Sequence, residues 1–163
     1  MYLGIDLGTS SVKTVLMDEA GIIKLSVSRP LNISMPKPLW SEQDAGEWWQ
    51  ATCDCLDELS KQIKLSNVKS IGLSGQMHGA TLIDQSGSVL RPAILWNDGR
   101  CVAECEELSK AVPDSAMRTG NIIMAGFTAP KLLWVKKYEP EVFAKVSKVL
   151  LPKDFLRYQL CGE

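Results

Sequence analysis

The first 28 residues contain three strand-length runs with very short connections, and this arrangement restricts the start of the fold to an antiparallel meander. The runs occupy residues 2–7, 12–18 and 22–28, and their apolar residues alternate loosely with polar ones. Residues 18–21 join the second run to the third with the polar residues and final glycine of a hairpin turn. A sheet that begins this way is stable when helices pack against it.

An amphipathic helix is predicted to follow the meander. Asp44 can cap it, and Glu47 lies three residues later, as in a capping box. Its apolar residues recur at helical spacing from Trp48 to Ile63. Residues 68–74 then predict a buried strand, so we expect an α/β protein with a mixed sheet and flanking helices. The later predicted elements are strands at 80–84, 89–96 and 146–151 and helices at 97–112, 114–119, 130–137, 140–145 and 152–162.

Composition and charge exclude several classes of function. The 163 residues carry 18 basic and 19 acidic side chains, so the net charge of −1 gives no bulk attraction to nucleic acid or to an anionic membrane. The amino terminus places Asp6 where a signal peptide needs apolar residues. We therefore expect no nucleic-acid or membrane partner and a cytoplasmic location. The five cysteines, an odd number, are expected to be thiols rather than a disulfide framework or a zinc site.

The first candidate site follows the first strand. Asp6 ends that strand, the small residues Gly8, Thr9 and Ser10 form a turn, and Lys13 comes shortly after. Glycine lets the backbone approach a ligand closely, and successive N–H groups with hydroxyls can surround an anion. Asp6 can hold Mg²⁺ directly or through water, as phosphoryl transfer requires. The alternative is a tight hairpin with a solvated aspartate.

The second candidate site is the glycine-flanked loop after the strand at residues 68–74. This loop presents Gln76 and His78, and polar side chains at the end of a buried strand lie where α/β sheets bind ligands. His78 can donate a hydrogen bond to a substrate hydroxyl or accept one from it. The alternative is a histidine that serves only the surface or the core.

The third candidate site runs from Trp96 through Asp98 to Arg100. An aromatic wall beside a polar turn is typical of sugar sites, which combine apolar contact with oriented hydrogen bonds. The alternative is ordinary turn and helix-cap chemistry, with Arg100 paired to a surface acid.

Taken together, these segments resemble the amino-terminal domain of the FGGY family of carbohydrate kinases, over essentially all 163 residues. The first segment alone marks the wider actin-like, sugar-kinase superfamily. Residues 76–79 resemble the members that phosphorylate xylulose, since glycerol kinases carry an Arg-Glu pair there. The resemblance is carried by residues 1–10, 39–44, 71–79, 91–100, 126–131 and 150–154.

The resemblance implies a fold, a reaction and a set of roles. The family has two ribonuclease-H-like domains that close over a cleft, and it transfers the γ-phosphoryl group of MgATP to a sugar hydroxyl. For this chain the implied product is D-xylulose 5-phosphate, the implied cofactors are ATP and Mg²⁺, and Asp6 would lie near the metal and the transferring phosphoryl group. The remaining implied roles are phosphate binding by Gly8, Thr9, Ser10 and Lys13 and sugar binding by Gln76, Met77, His78, Trp96, Asp98 and Arg100.

The resemblance also implies that residues 1–163 form an incomplete amino-terminal FGGY domain. The last predicted helix closes at Gly162, and the family's catalytic aspartate and nucleotide-binding carboxy-terminal domain lie further downstream. We therefore expect a kinase by family whose isolated 163-residue piece is inactive. The alternatives are a non-catalytic remnant that binds a pentulose or phosphate, and a kinase for another sugar such as ribulose or gluconate. Surface left uncovered by the missing part favours self-association, so a homodimer is an expected partner.

Overall fold

The computed structural model describes residues 1–162, and these form two structural units between which the chain passes repeatedly. Unit 1 contains Met1–Ile33, Asp44–Gln76 and the chain from Pro152 onwards. Unit 2 contains Ser34–Gln43 and Met77–Leu151. The expected α/β class is confirmed, with a mixed sheet and flanking helices in unit 1 and short strand pairs with helices in unit 2.

Eight strands and six helices make up the described chain. The strands are β1 (Tyr2–Leu7), β2 (Ser11–Met17), β3 (Ile23–Pro30), β4 (Glu42–Gln43), β5 (Ser70–Gly75), β6 (Thr81–Ile83), β7 (Ala93–Ile94) and β8 (Lys148–Leu150). The helices are α1 (Ala45–Ser60), α2 (Val102–Ala111), α3 (Ser115–Thr119), α4 (Thr128–Tyr138), α5 (Pro140–Phe143) and α6 (Pro152–Cys161), and a 3₁₀ turn lies at Leu65–Asn67.

Unit 1 is built on a four-stranded sheet with the order β3-β2-β1-β5. The predicted meander is confirmed, because β1 pairs antiparallel with β2 and β2 pairs antiparallel with β3. The Asp18 carboxylate accepts hydrogen bonds from the amides of Ala20 and Ile22, both at 2.9 Å, and this closes the hairpin. Strand β5 joins the other side of β1 in parallel, which makes the sheet mixed.

Helices α1 and α6 cover one face of this sheet. Alternate residues of β1, namely Leu3, Ile5 and Leu7, are buried there, as period-2 alternation requires. Asp44 caps α1 as predicted, and its carboxylate accepts a hydrogen bond from the Gly46 amide at 2.8 Å. The rings of Trp48 in α1 and Phe155 in α6 meet edge to face with centroids 6.3 Å apart, so the two helices share one core.

The other face of the sheet is open in the described chain, and β5 differs there from its prediction. The sequence predicts a buried strand, but most of β5 is exposed, and the side chain of Ile71 is 45% exposed. The reason is position, since β5 is the last strand on its side of the sheet within residues 1–162. The apolar residues of a strand show that it can be buried, but they do not show whether another strand pairs with its outer edge.

Unit 2 combines two short antiparallel strand pairs, β4 with β7 and β6 with β8. An isolated bridge between Ala80 and Ile94 links the two pairs. Helices α2 and α4 contact each other over the unit's core. The buried centre of this core consists of Leu82, Ile94, Cys101, Trp134 and Val135.

Among the described residues, none of the helices has the length and apolar character that crossing a membrane takes, and all five cysteines are free thiols.

Two predicted elements of unit 2 are wrong in extent. The predicted strand at residues 89–96 is reduced to β7, with one further bridge from Val89 to Ile83, because Pro92 interrupts the pairing. The helix predicted from Asn97 or Asp98 begins only at Val102. Asp98 does not cap it, since its carboxylate is engaged with Arg100 and with the Ser41 amide, as described below.

We predict that Asp44→Ala lowers the free energy of unfolding of this chain by about 1 kcal/mol, because the Gly46 amide at the start of α1 loses its acceptor. Asp57→Ala is the matched control, since it removes an exposed carboxylate from the interior of the same helix and is expected to change stability by less than about 0.5 kcal/mol. Urea denaturation followed by circular dichroism measures both, and equal effects of the two variants would contradict the capping role.

Candidate functional site

The turn between β1 and β2 is the first part of the candidate site. The Gly8 amide donates a hydrogen bond to the Ser11 carbonyl at 3.0 Å, and the Ser10 carbonyl accepts one from the Leu31 amide at 2.9 Å. A Cβ atom on residue 8 would lie 3.2 Å from the Ser11 carbonyl oxygen, so the tight turn favours glycine at this position. Thr9 and Ser10 occupy the tip of this turn, where Thr9 is half-buried and Ser10 is exposed.

Gln76 lies beneath this turn. Its side chain is 7% exposed, and its amide nitrogen Nε2 donates to the Gly8 carbonyl at 3.5 Å. The Thr9 hydroxyl donates to the Gln76 Oε1 atom at 3.4 Å, and the Gln76 backbone amide donates to the Leu7 carbonyl at 2.7 Å. The structure therefore groups Gln76 with the predicted phosphate turn, in unit 1, and its predicted contact with the sugar stays a prediction.

Asp6 and Lys13 are direct neighbours on the open face of the sheet. They are register partners of β1 and β2, and both are exposed. With Ser74 of β5 they line a depression of about 390 Å³ whose floor includes Gly4 and Gly72. Gly4 and Gly72 add no side chain to this depression, and the Asp6 carboxylate and the Lys13 ammonium group are exposed beside them.

The residues present are compatible with a magnesium ion that arrives together with phosphate. No three His, Cys, Asp or Glu side chains within residues 1–162 are grouped so that they could hold a metal ion by themselves. Magnesium commonly keeps several waters and takes one or two carboxylates plus phosphate oxygens. The exposed Asp6 can supply one such carboxylate beside the turn at Gly8, whereas a metal ion held by the protein alone would need more protein ligands.

The turn at His78 is the first part of the candidate site in unit 2. His78 has a left-handed backbone with φ of +59°, and Met77 before it is 54% exposed. Burial, helped by the nearby Lys131 ammonium group, lowers the pKa of His78, so the imidazole is neutral at pH 7 and both donates and accepts. The ring lies 4.5 Å from the Phe127 ring, centroid to centroid. It forms part of the wall of a cavity of about 460 Å³ whose other lining residues include Leu108, Val112, Ile122, Ile123 and Pro130.

Sequence reasoning assigned no role to the residues that hold this turn. Thr128 and Lys131 of α4 both donate hydrogen bonds to the His78 carbonyl, at 3.2 and 2.8 Å. A signal was present in the sequence, because Lys131 shares a helical stripe with the buried residues Trp134 and Val135. A lysine at a core position of an amphipathic pattern indicates an internal partner.

The Trp96 loop provides an exposed aromatic surface in unit 2. The Trp96 side chain is 43% exposed, and its predicted role as the aromatic wall of a sugar site stays a prediction. Its carbonyl lies close against Gly126, where a Cβ atom would come within 2.7 Å of the carbonyl oxygen. Residue 126 therefore has to be glycine for the two loops to approach each other as they do.

Asp98 and Arg100 form a buried ion pair. Their side chains are 0% and 1% exposed, and the Arg100 atoms Nε and Nη2 donate to the Asp98 carboxylate at 2.9 and 2.7 Å. The same carboxylate accepts a hydrogen bond from the Ser41 amide at 2.6 Å. The Arg100 atom Nη1 also lies 2.7 Å from a carboxylate oxygen of Glu42, which is itself buried. The interpretation that Arg100 pairs with a surface acid is therefore wrong, because both of its partners are internal.

Aromatic rings complete the surroundings of Arg100. Its guanidinium carbon lies 3.7 Å from the ring centroid of Trp40 and 4.9 Å from that of Trp134. Stacking on aromatic faces suits a planar guanidinium group and keeps water away from the ion pair. The side chains of Asp98 and Arg100 are thus engaged with each other, and their predicted contact with the sugar stays a prediction.

Comparisons with known proteins identify a family, similar sequences and similar structures. The amino-terminal domain of the FGGY family of carbohydrate kinases matches residues 1–163. Xylulose kinase of Escherichia coli (strain K12) is 56% identical over 163 residues, which are 100% of this chain and 34% of that protein. Among solved structures, a kinase from Brucella ovis superposes with a TM-score of 0.95 at 51% identity, and xylulose kinase from Rhodospirillum rubrum superposes with 0.92 at 33% identity; each match covers 99% of this chain and 34% of the other.

The chain belongs to the FGGY family of carbohydrate kinases. The resemblance seen in the sequence is confirmed, and the chain spans about a third of the length of the relatives that it matches. Kinases of this family transfer a phosphoryl group from ATP with the help of a divalent metal ion. The candidate site residues of this FGGY chain lie in the turn at Gly8 and on the open sheet face at Asp6 in unit 1, and in the loops at His78 and Trp96 in unit 2.

We predict that Asp98→Asn lowers the free energy of unfolding by about 3 kcal/mol, because it leaves the buried guanidinium group of Arg100 without its main counter-charge. Asp114→Asn is the matched control, since it breaks the exposed pair of Asp114 with Arg118 and is expected to cost less than about 0.5 kcal/mol. Urea denaturation of both variants measures the difference. A loss as small for Asp98→Asn as for the control would show that the buried pair adds no stability.

Proposed function

We propose that this chain is the sugar-binding, amino-terminal part of an ATP-dependent kinase that phosphorylates D-xylulose to D-xylulose 5-phosphate. The observation that carries the proposal is the turn at Met77 and His78, which pairs an exposed thioether with a neutral, half-buried imidazole. The 56% identity to a xylulose kinase over the whole chain supports the same substrate. The full reaction is assigned to a longer protein, in which this chain is the amino-terminal domain.

The proposed sugar contacts divide into polar and apolar ones. A neutral His78 donates a hydrogen bond to one sugar hydroxyl through one ring nitrogen and accepts one through the other. Met77 and Trp96, both about half exposed, offer apolar surface to the C–H groups of the sugar. Asp98 and Arg100 act in this proposal by fixing the loop that carries Trp96, since their charges neutralise each other.

The proposed phosphate contacts lie in unit 1. The turn of Gly8, Thr9 and Ser10 is the proposed phosphate site, in which Ser10 offers its hydroxyl at the tip and Lys13 adds a positive charge. The Gly8 amide and the Thr9 hydroxyl already donate to the Ser11 carbonyl and to the Gln76 Oε1 atom, so these two residues shape the turn. When MgATP is bound, it supplies the phosphoryl group and a metal ion that neutralises part of the phosphate charge. Asp6 is the proposed carboxylate that faces this ion, directly or through water. Gln76 supports the turn from below through the Gly8 carbonyl and the Thr9 hydroxyl.

Two other functions are distinguished by experiment. A kinase for ribulose or gluconate would show a different sugar preference, and a non-catalytic remnant would bind a pentulose or phosphate without turnover in any longer form. A panel of D-xylulose, D-ribulose and gluconate, tested on the longer kinase that contains this chain, ranks the sugars.

The cytoplasmic location and the homodimer stay predictions; light scattering of this chain at several concentrations tests the homodimer.

We predict saturable binding of D-xylulose to this chain in titration calorimetry and at least tenfold weaker binding by His78→Ala, because the variant loses the neutral imidazole. Lys136→Met is the control, since Lys136 is exposed on α4 and is expected to leave the dissociation constant unchanged. Equal affinities of His78→Ala and the unaltered chain would contradict the proposed sugar contact.

We further predict that the isolated 163-residue chain does not turn over D-xylulose and ATP. The proposal places the proton-accepting aspartate and the nucleotide-enclosing domain outside this chain, and phosphoryl transfer to a hydroxyl needs both. A coupled assay of ADP release measures this, with the longer kinase as the positive control. Turnover by the isolated chain at a rate close to that of the longer protein would exclude this division of roles.

A further inference from the structure

Lys131 of α4 is a charged side chain in the interior of unit 2. It is 0% exposed, and its neighbours on the buried stripe of the helix include Trp134 and Val135. Burial lowers its pKa to about 8, which still leaves the ammonium group mostly charged at pH 7. A buried ammonium group is tolerated only when its protons have acceptors, so the position of those acceptors shows what the side chain does.

The acceptors of Lys131 are main-chain carbonyls of two different loops. Its Nζ atom donates to the His78 carbonyl at 2.8 Å and to the Gly126 carbonyl at 2.7 Å. The Thr128 hydroxyl, one helical turn earlier, donates to the same His78 carbonyl at 3.2 Å. The start of α4 therefore ties the turn at His78 to the loop that leads into the helix.

The turn at His78 needs such support because its backbone is strained. A φ of +59° is unfavourable for a residue with a side chain, and it persists only where surrounding contacts enforce it. Two donors from α4 hold the carbonyl of this residue, and the Phe127 ring packs against its imidazole at 4.5 Å. Both the main chain and the ring of His78 are thus oriented by residues 127–131.

The second loop leads to Trp96. Gly126, whose carbonyl accepts from Lys131, lies so close to the Trp96 carbonyl oxygen that no Cβ atom would fit between them. A single ammonium group therefore connects two segments, one carrying His78 and one lying against the Trp96 loop. Both segments belong to unit 2.

We propose that Lys131 and Thr128 are positioning residues of the sugar site, which hold the His78 carbonyl so that the imidazole presents a fixed pair of hydrogen-bonding nitrogens to the hydroxyls of a pentulose. The part that concerns the sugar rests on the proposed function, whereas the orientation of His78 does not. Neither Lys131 nor Thr128 is required to touch the sugar.

The orientation of His78 has a direct spectroscopic signature, because His78 is the only histidine in the chain. Its ring proton Hε1 gives one proton NMR resonance, which the Phe127 ring shifts away from the random-coil position. Lys131→Met keeps the length of the side chain and removes the ammonium group. Lys136→Met makes the same change at an exposed position of the same helix and serves as the control.

For Lys131→Met we expect the Hε1 resonance to move most of the way to its random-coil position and the dissociation constant for D-xylulose to rise at least tenfold, at near-native circular dichroism. The control is expected to change neither. A folded Lys131→Met chain with an unchanged Hε1 resonance would overturn the proposal. If Lys131→Met does not fold, Thr128→Val decides in the same way, with a smaller expected shift and a two- to fivefold rise in the dissociation constant.

The two readouts separate the proposal from the function on which it partly rests. If the unaltered chain does not bind D-xylulose while Lys131→Met still displaces the Hε1 resonance, the substrate assignment fails and the positioning role stands. If the unaltered chain binds D-xylulose and the variant binds it equally well with a displaced resonance, the orientation of His78 does not matter to the sugar and the proposal fails.

Discussion

The buried ion pairs of the Arg100 guanidinium group are the interactions on which the architecture of unit 2 depends. This group lies between the carboxylates of Asp98 and Glu42, and through them it joins the loop after β7 to β4. Removing two or three charges from water is costly, and the cost is offset only by close, multiply hydrogen-bonded geometry. The short distances to Asp98 and the covering rings of Trp40 and Trp134 provide that geometry. Two-residue strands such as β4 and β7 would pair weakly without this cluster.

Lys131 is a second buried cation of unit 2, and its hydrogen-bond acceptors are of a different kind. Arg100 is neutralised by acids, whereas Lys131 is satisfied by the carbonyls of His78 and Gly126. Carbonyl oxygens satisfy the protons of an ammonium group without cancelling its charge, so the lysine stays cationic beside the imidazole and helps to keep it neutral. The loops at His78 and Trp96 thus take their positions from buried cations, while the apolar core beneath them supplies the bulk of the stability.

Local patterns predicted the elements whose partners are near in sequence, and they failed where partners are distant. The meander, helix α1 and its cap at Asp44 follow from alternation, helical spacing and one side chain, all readable within a few residues. The start predicted for α2 at Asn97 or Asp98 was wrong, and the Asp98 carboxylate instead accepts a hydrogen bond from the Ser41 amide, 57 positions away. The candidate residues were found as motifs, but the place of Gln76 beneath the Gly8 turn depends on strand pairing, which a motif does not contain.

Whether a charged side chain is buried decides which residues are available for chemistry. A ligand that recruited Arg100 would have to leave a buried carboxylate without its partner, at a cost of about 3–5 kcal/mol. Asp6 and Lys13 carry no such cost, since both are exposed on an open sheet face. His78 is intermediate, because its carbonyl is engaged by α4 while its neutral ring faces a cavity. This difference favours framework roles for Asp98, Arg100 and Lys131, and it supports the proposed ligand contacts of Asp6, Lys13 and His78.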